Sequence, residues 1–200
     1  MPSLIEGLAA PFPHHNVDTD VIMPKRFLRT ITREGLAEGV FSDLRFTVDG
    51  TQRPEFVLNR PEFANSALLV VGDNFGCGSS REHAVWGLKQ LGIRAIIGTS
   101  FAGIFYDNAR KNGLALAMLK AEDRDGLLDH LSDQPQKLTF DIKERALHTP
   151  IGSFDVEIDT ATHTALVEDR NELSDSLGLM DDIRAFEAKR PESEIVSVSK

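Results

Sequence analysis

"SALLVVGDNFGCGSSREHAVWGLKQLGIRAIIGTSFAGIFYDNARKNGLALAML", residues 66–119, decides the fold through its alternation. The apolar run Ala67–Val71 is too short for a helix and ends at Gly72-Asp73, which predicts a buried strand. Ala84, Val85, Leu88 and Leu91 then recur at helical spacing. Ser79 or Ser80 is the expected N-cap and Gly92 the stop. "IRAIIG" predicts a second buried strand. A second helix follows, with Thr99 or Ser100 as cap, Phe101, Ile104, Phe105 and Ala109 as its apolar face, and Gly113 as stop. "LALAML" predicts a third strand. Strands that alternate with helices pair in parallel, with the helices packed on the sheet, so the class is α/β.

Around this centre the chain is less regular. Residues 1–60 are rich in turn residues and read as short strands only. "LTFDI" and "GSFDVEI" suggest a β-rich edge, and "DDIRAFEAKRP" a late helix stopped by Pro191. Residues 1–190 are expected to form a single domain, with 191–200 as a flexible tail.

Composition narrows the function. Lys plus Arg is 22 against 31 for Asp plus Glu, a formal charge of −9. That balance argues against nucleic acid or an anionic membrane as the main partner. No window approaches the length of a membrane span. The N-terminus lacks a basic segment followed by a long apolar core, so no signal peptide is expected. Cys77 is the single cysteine. No internal disulfide can form, which fits a cytoplasmic location.

The seam between the first strand and helix, "GDNFGCGSSRE", carries chemistry. Glycines let backbone approach a ligand, and the helix start adds unpaired N–H groups and a positive dipole end. Arg81 supplies a planar fork matched to a carboxylate or phosphate. The pattern predicts an anion pocket with a hydroxyl at its lip; the competing outcome is a capped helix with a solvated arginine. It is not a nucleophile elbow, because G-x-S-x-G is absent, nor a phosphate loop, because no G-K-[ST] follows. Glycines at 72, 76 and 78 have the wrong spacing for a dinucleotide fingerprint. Earlier, "KRFLRTITR" holds Lys25, Arg26, Arg29 and Arg33 with no acid among them. Lys25, Arg29 and Arg33 would share one face if helical, as a substrate grip or simply a solvated basic face. Asp18 and Asp20, in "DTD", are either turn residues or part of the site. His14 and His15 lack metal-like spacing with another ligand, and no metal is assigned to this chain. His83, Trp86, Phe101 and Phe105 read as structural.

"NFGCGSSREHA", followed by "AIIGTSFAGI" and "NARKNGL", closely resembles the swivel domain of the aconitase superfamily. With "NVDTDVIMPKRFL" and the chain length, the resemblance points to its free-standing small subunits, on the isopropylmalate-isomerising branch of leucine synthesis. It implies a swivelling β/β/α domain with a mostly parallel central sheet, flanking helices and a β-rich edge. It implies a hydro-lyase that moves a hydroxyl between adjacent carbons of a small dicarboxylic acid, by loss and return of water. Related dehydratases for homocitrate or a methylated malate stay open, as does a non-catalytic anion-binding module. The family works on a 4Fe–4S cluster, which takes several cysteine thiolates; one cysteine cannot hold it, so Cys77 reads as a packing residue. The resemblance places the cluster on a separate large subunit, with this chain as the opposite wall of a shared site. By the same resemblance Ser79 is the base, as an alkoxide, and Arg81 grips a substrate carboxylate. Asp20 sits at the site edge and orients a partner group in a proton relay. Ser80 joins the substrate-binding set or takes the helix cap. Lys25 and either Arg29 or Arg33 meet the second carboxylate.

Overall fold

The computed structural model describes residues 3–28, 34–167 and 179–189. Its centre is a seven-stranded sheet. Strands β1 (Leu4–Phe12), β2 (Leu68–Val71), β3 (Ala95–Gly98) and β4 (Ala115–Met118) run parallel. Strands β5 (Gln136–Asp141), β6 (Ala146–Thr149) and β7 (Gly152–Asp155) form an antiparallel meander on the other side of β1. The order across the sheet is β4-β3-β2-β1-β5-β6-β7. This is the α/β swivel architecture with a β-rich edge that the sequence predicts.

The nine-residue β1 departs from expectation, because the first 60 residues read as short strands only. Pro11 hides it: proline inside a central strand removes a ladder donor. Here the loss falls where it costs little. Leu8 turns its carbonyl toward β2, accepting from the Ala67 N–H at 2.9 Å. By alternation Pro11 turns its nitrogen to the other side, where β5 has already ended opposite Ala9.

Alternate residues of the parallel strands feed two cores. One face sends Leu69, Val71, Ile96 and Leu116 toward α3 (Glu82–Gln90) and α4 (Gly103–Lys111). The other sends Leu68, Val70, Ala95, Ile97 and Ala117 toward Leu127, Leu128 and Leu131 of α5 (Ala121–Asp133). Burial on both faces explains why these strands read as unbroken apolar runs. α5 has no counterpart in the sequence reading: its apolar stripe is narrow and acidic residues open it. Its Arg124 is buried and donates to the Val71 carbonyl at 3.1 Å while pairing with Asp73 at 3.1 Å. That tie fixes the end of β2, from which the glycine-serine loop departs.

One-turn helices α1 (Thr19–Ile22) and α2 (Ser42–Arg45) lie between β1 and β2, α6 (Thr160–Val167) follows the sheet, and α7 (Met180–Glu187) is the expected late helix. Pro191 and the tail 191–200 lie outside the described residues. Gly92 and Gly113 stop their helices as expected, each with positive φ (105° and 63°) just past the C-cap. The expected caps differ. α4 starts after Ala102 with no side-chain cap, because Ser100 accepts from the Asn74 N–H at 2.9 Å and the Thr99 hydroxyl donates to Asp73. Ile104, expected on the apolar face, is 52% exposed.

Candidate active site

The loops after β1 and β2 leave the sheet side by side at the carboxyl ends of two parallel strands, where open α/β sheets place their ligands. Backbone bonds join them. Gly76 and Cys77 donate to the Val17 carbonyl at 2.8 and 3.1 Å, and Thr19 donates its N–H to the Cys77 carbonyl at 2.8 Å. Asp18 and Cys77 form a parallel bridge. Gly76 and Gly78 have φ of 80° and 92°, a region side chains resist. A β-carbon on Gly78 would run into the Asp18 carboxylate. Glycine here lets the two loops touch.

Ser79 and Ser80 emerge exposed from this junction. Neither caps α3, contrary to the cap expected of one of them. The N-cap is Arg81, in extended conformation and without a side-chain cap, and the helix begins at Glu82. The Ser79 carbonyl is held by the Thr19 hydroxyl at 3.0 Å, and the chain enters the helix one or two residues later than the serines suggest. The competition between capping and chemistry for the Ser79 oxygen therefore does not arise.

Arg81 turns back toward the first loop. Its Nη1 donates to Asp20 Oδ1 and lies 3.4 Å from the Met23 carbonyl oxygen. The arginine side chain is 9% exposed and that of Asp20 42%. The Arg81 hydrogen bond holds the Asp20 carboxyl below the usual carboxylate range; desolvation opposes it, and the Arg81 and Lys25 charges add to the lowering. Asp18, by contrast, caps α1 by accepting from the Asp20 N–H at 2.5 Å. "DTD" thus does both things its residue types allow: Asp18 builds the turn and Asp20 faces the arginine.

The basic segment divides. Lys25 is exposed and opens a 3₁₀ turn over Lys25–Phe27 instead of an α-helix. Arg26 points elsewhere, to Ser42 Oγ at 2.8 Å and Asp43 Oδ1 at 2.5 Å. Arg29 and Arg33 lie outside the described residues. Cys77 is a free thiol of intermediate exposure at the loop junction, not a core packing residue. His83 packs against Trp86 in a tilted arrangement with ring centroids 4.9 Å apart, and Trp86 Nε1 donates to Asn112 Oδ1 at 2.8 Å. These two brace α3 against the end of α4. Sequence reasoning missed Thr19: a single threonine between two aspartates carries no signal of what lies above its hydroxyl.

Among the described residues no three of His, Cys, Asp and Glu come together as metal ligands. With one cysteine in the whole chain, the donor set does not fit a 4Fe–4S cluster. A cavity of about 400 Å³ is lined by Phe12, His14, Phe56 and Arg60 among others, but by no residue of the serine loop. Ser79 itself is exposed. Among the described residues no helix is long and apolar enough to cross a membrane.

Comparisons agree with this geometry. Residues 3–121 match the model of the Aconitase C-terminal domain family. The chain is 45% identical over 190 residues to the 3-isopropylmalate dehydratase small subunit of Brucella anthropi, covering 94% of each chain. It is 46% identical over 186 residues to small subunit 1 of that enzyme from Mannheimia succiniciproducens, covering 92% of each. Among solved structures, 3-isopropylmalate dehydratase from Methanocaldococcus jannaschii superposes with a TM-score of 0.67 at 26% identity, over 90% of this chain and 99% of the other. A family match over more than half of the sequence, and relatives alike along nearly all of it, establish that the chain belongs to the Aconitase C-terminal domain family, among the 3-isopropylmalate dehydratase small subunits.

Proposed function

We propose that this chain is the small subunit of a 3-isopropylmalate dehydratase, a hydro-lyase of leucine biosynthesis that interconverts 2- and 3-isopropylmalate through 2-isopropylmaleate. The observation that carries the proposal is the wall itself. An exposed serine follows a glycine junction, two residues from an arginine held by an ionised aspartate. Such a wall suits a substrate with two carboxylates and an acidifiable C–H.

In this proposal Ser79, as an alkoxide, takes the proton from carbon as the C–O bond of the neighbouring carbon breaks, and the departing hydroxide takes a proton from a relay group on the large subunit to leave as water. The products are the alkene diacid and water, and readdition in the other orientation gives the isomer. A serine is a poor base unless its oxyanion is stabilised. The start of α3 and the Arg81 charge supply that stabilisation. Arg81 uses Nη1 on Asp20 and Met23 and meets a substrate carboxylate through Nη2 and Nε. Asp20 acts here by aiming the guanidinium. Ser80 and Lys25 line the substrate side, and Arg29 or Arg33 takes the second carboxylate. The cluster that the family uses belongs, in this proposal, to the large subunit. We place the complex in the cytoplasm, in keeping with the lone cysteine. We treat residues 1–190 as one domain, because both cores share one sheet.

Substrate competition on the complex with the large subunit tests the assignment. Isopropylmalate is expected to be preferred over a straight-chain tricarboxylate by at least about tenfold in kcat/KM, the scale of an apolar-pocket contact. Preference for the tricarboxylate would move the chain to another branch of the superfamily.

A further inference from the structure

We infer that Thr19 is a positioning residue for Ser79, setting the peptide plane that carries the serine. The inference rests on the role given to Ser79 above and adds a residue to which neither the family match nor the motif assigns a role.

Thr19 is 2% exposed, yet both of its hydrogen-bond donors reach the serine loop. Its N–H holds the Cys77 carbonyl at 2.8 Å and its hydroxyl the Ser79 carbonyl at 3.0 Å. These two acceptors straddle Gly78, the residue with φ of 92° and the one with most freedom to drift. One buried residue thus pins the loop on either side of its softest point. The Ser79 carbonyl and the Ser80 N–H share a peptide plane, so fixing the carbonyl fixes that N–H; with the Cys77 carbonyl also held, it restricts the rotation about the Ser79 backbone bonds on which the side chain's direction depends. Thr19 is itself held: its carbonyl accepts from Met23 N–H at 2.9 Å, inside the turn that presents Asp20 to Arg81. The clamp on the serine and the anchor of the arginine are consecutive residues of one turn, so the two groups keep their mutual placement. A buried hydroxyl spent on an exposed loop, on the serine rather than on its own helix, fits positioning better than packing.

The test uses the complex with the large subunit and compares Thr19→Val, which keeps the shape and loses the hydroxyl, with Thr19→Ser, which keeps the hydroxyl. Thr19→Val is expected to lower kcat by about 10- to 100-fold, the scale of a misplaced catalytic group, with KM within about threefold. Thr19→Ser is expected to recover kcat to within about threefold of the parent. In a Ser79→Ala background Thr19→Val should add almost nothing, because its effect runs through the serine. Full kcat in Thr19→Val alongside a crippled Ser79→Ala would overturn this inference alone. A Thr19→Ser as slow as Thr19→Val would also overturn it, since the role would then be packing. Unimpaired Ser79→Ala would overturn the serine's role and this inference together. Should the valine variant not fold, Thr19→Ala against Thr19→Ser gives the same contrast with the same outcomes.

Discussion

Ser79→Ala, assembled with the large subunit, is expected to lose roughly 10²–10⁴-fold in kcat, the range a positioned general base supplies. KM should move little, because the lost interaction is with a proton in transit rather than with a carboxylate. Stability should hold. Ser79 is exposed and does not cap α3, so deleting its hydroxyl should cost no more than about 0.5 kcal/mol of folding free energy. The catalytic loss corresponds to roughly 3–5 kcal/mol of barrier. That gap separates the two explanations: a helix-cap serine would lose stability and keep its rate. Paired measurements of thermal midpoint and kcat decide between them. Rate retained within a few-fold would remove Ser79 from the chemistry.

Arg81→Lys is the second large effect. The guanidinium's Nη1 is on Asp20 and the Met23 carbonyl, and in the proposed role its other N–H groups meet a substrate oxygen. An ammonium has no such fork and can satisfy Asp20 or the substrate, but not both with directed bonds. Turnover is expected to fall roughly 10²–10³-fold, as when one preorganised donor is removed from a developing charge. The loss should appear in kcat/KM, with KM rising, because a carboxylate is bound in the ground state too. The fold should survive, since Lys keeps the positive charge beside Asp20, whose side chain is 42% exposed. Near-parental kcat/KM in a folded Arg81→Lys would show that the arginine serves only the ion pair.

Much of this arrangement is legible in the sequence, for identifiable reasons. The parallel strands announce themselves because both faces are buried, so Leu68–Val71 and Ala95–Gly98 are apolar throughout. The helix stops at Gly92 and Gly113 are legible because only a positive φ requires glycine there. β1 is not, since Pro11 looks like a breaker until one sees that β5 ends before reaching it. α5 is not, because Leu127, Leu128 and Leu131 give too narrow a stripe. At the site, Ser79, Arg81 and Asp20 stand in recognisable motifs, and the structure brings Asp20 to Arg81 across 61 positions of sequence. The expected caps are absent for one shared reason. Ser100 and Thr99 spend their hydroxyls on the neighbouring loop, and the backbone at Ser79 is held by Thr19, so in both places a long-range contact that local propensity cannot see decides where the helix starts.

The central claim is that this chain holds half of an active site and no cluster of its own. Its most direct test is to purify the chain alone, measure iron and isopropylmalate turnover, then titrate in the large subunit. The account predicts an iron-free, inactive chain, with turnover rising as the large subunit is added and saturating at a fixed ratio. A chain that turns over isopropylmalate by itself, or a large subunit at full rate without it, would contradict the account.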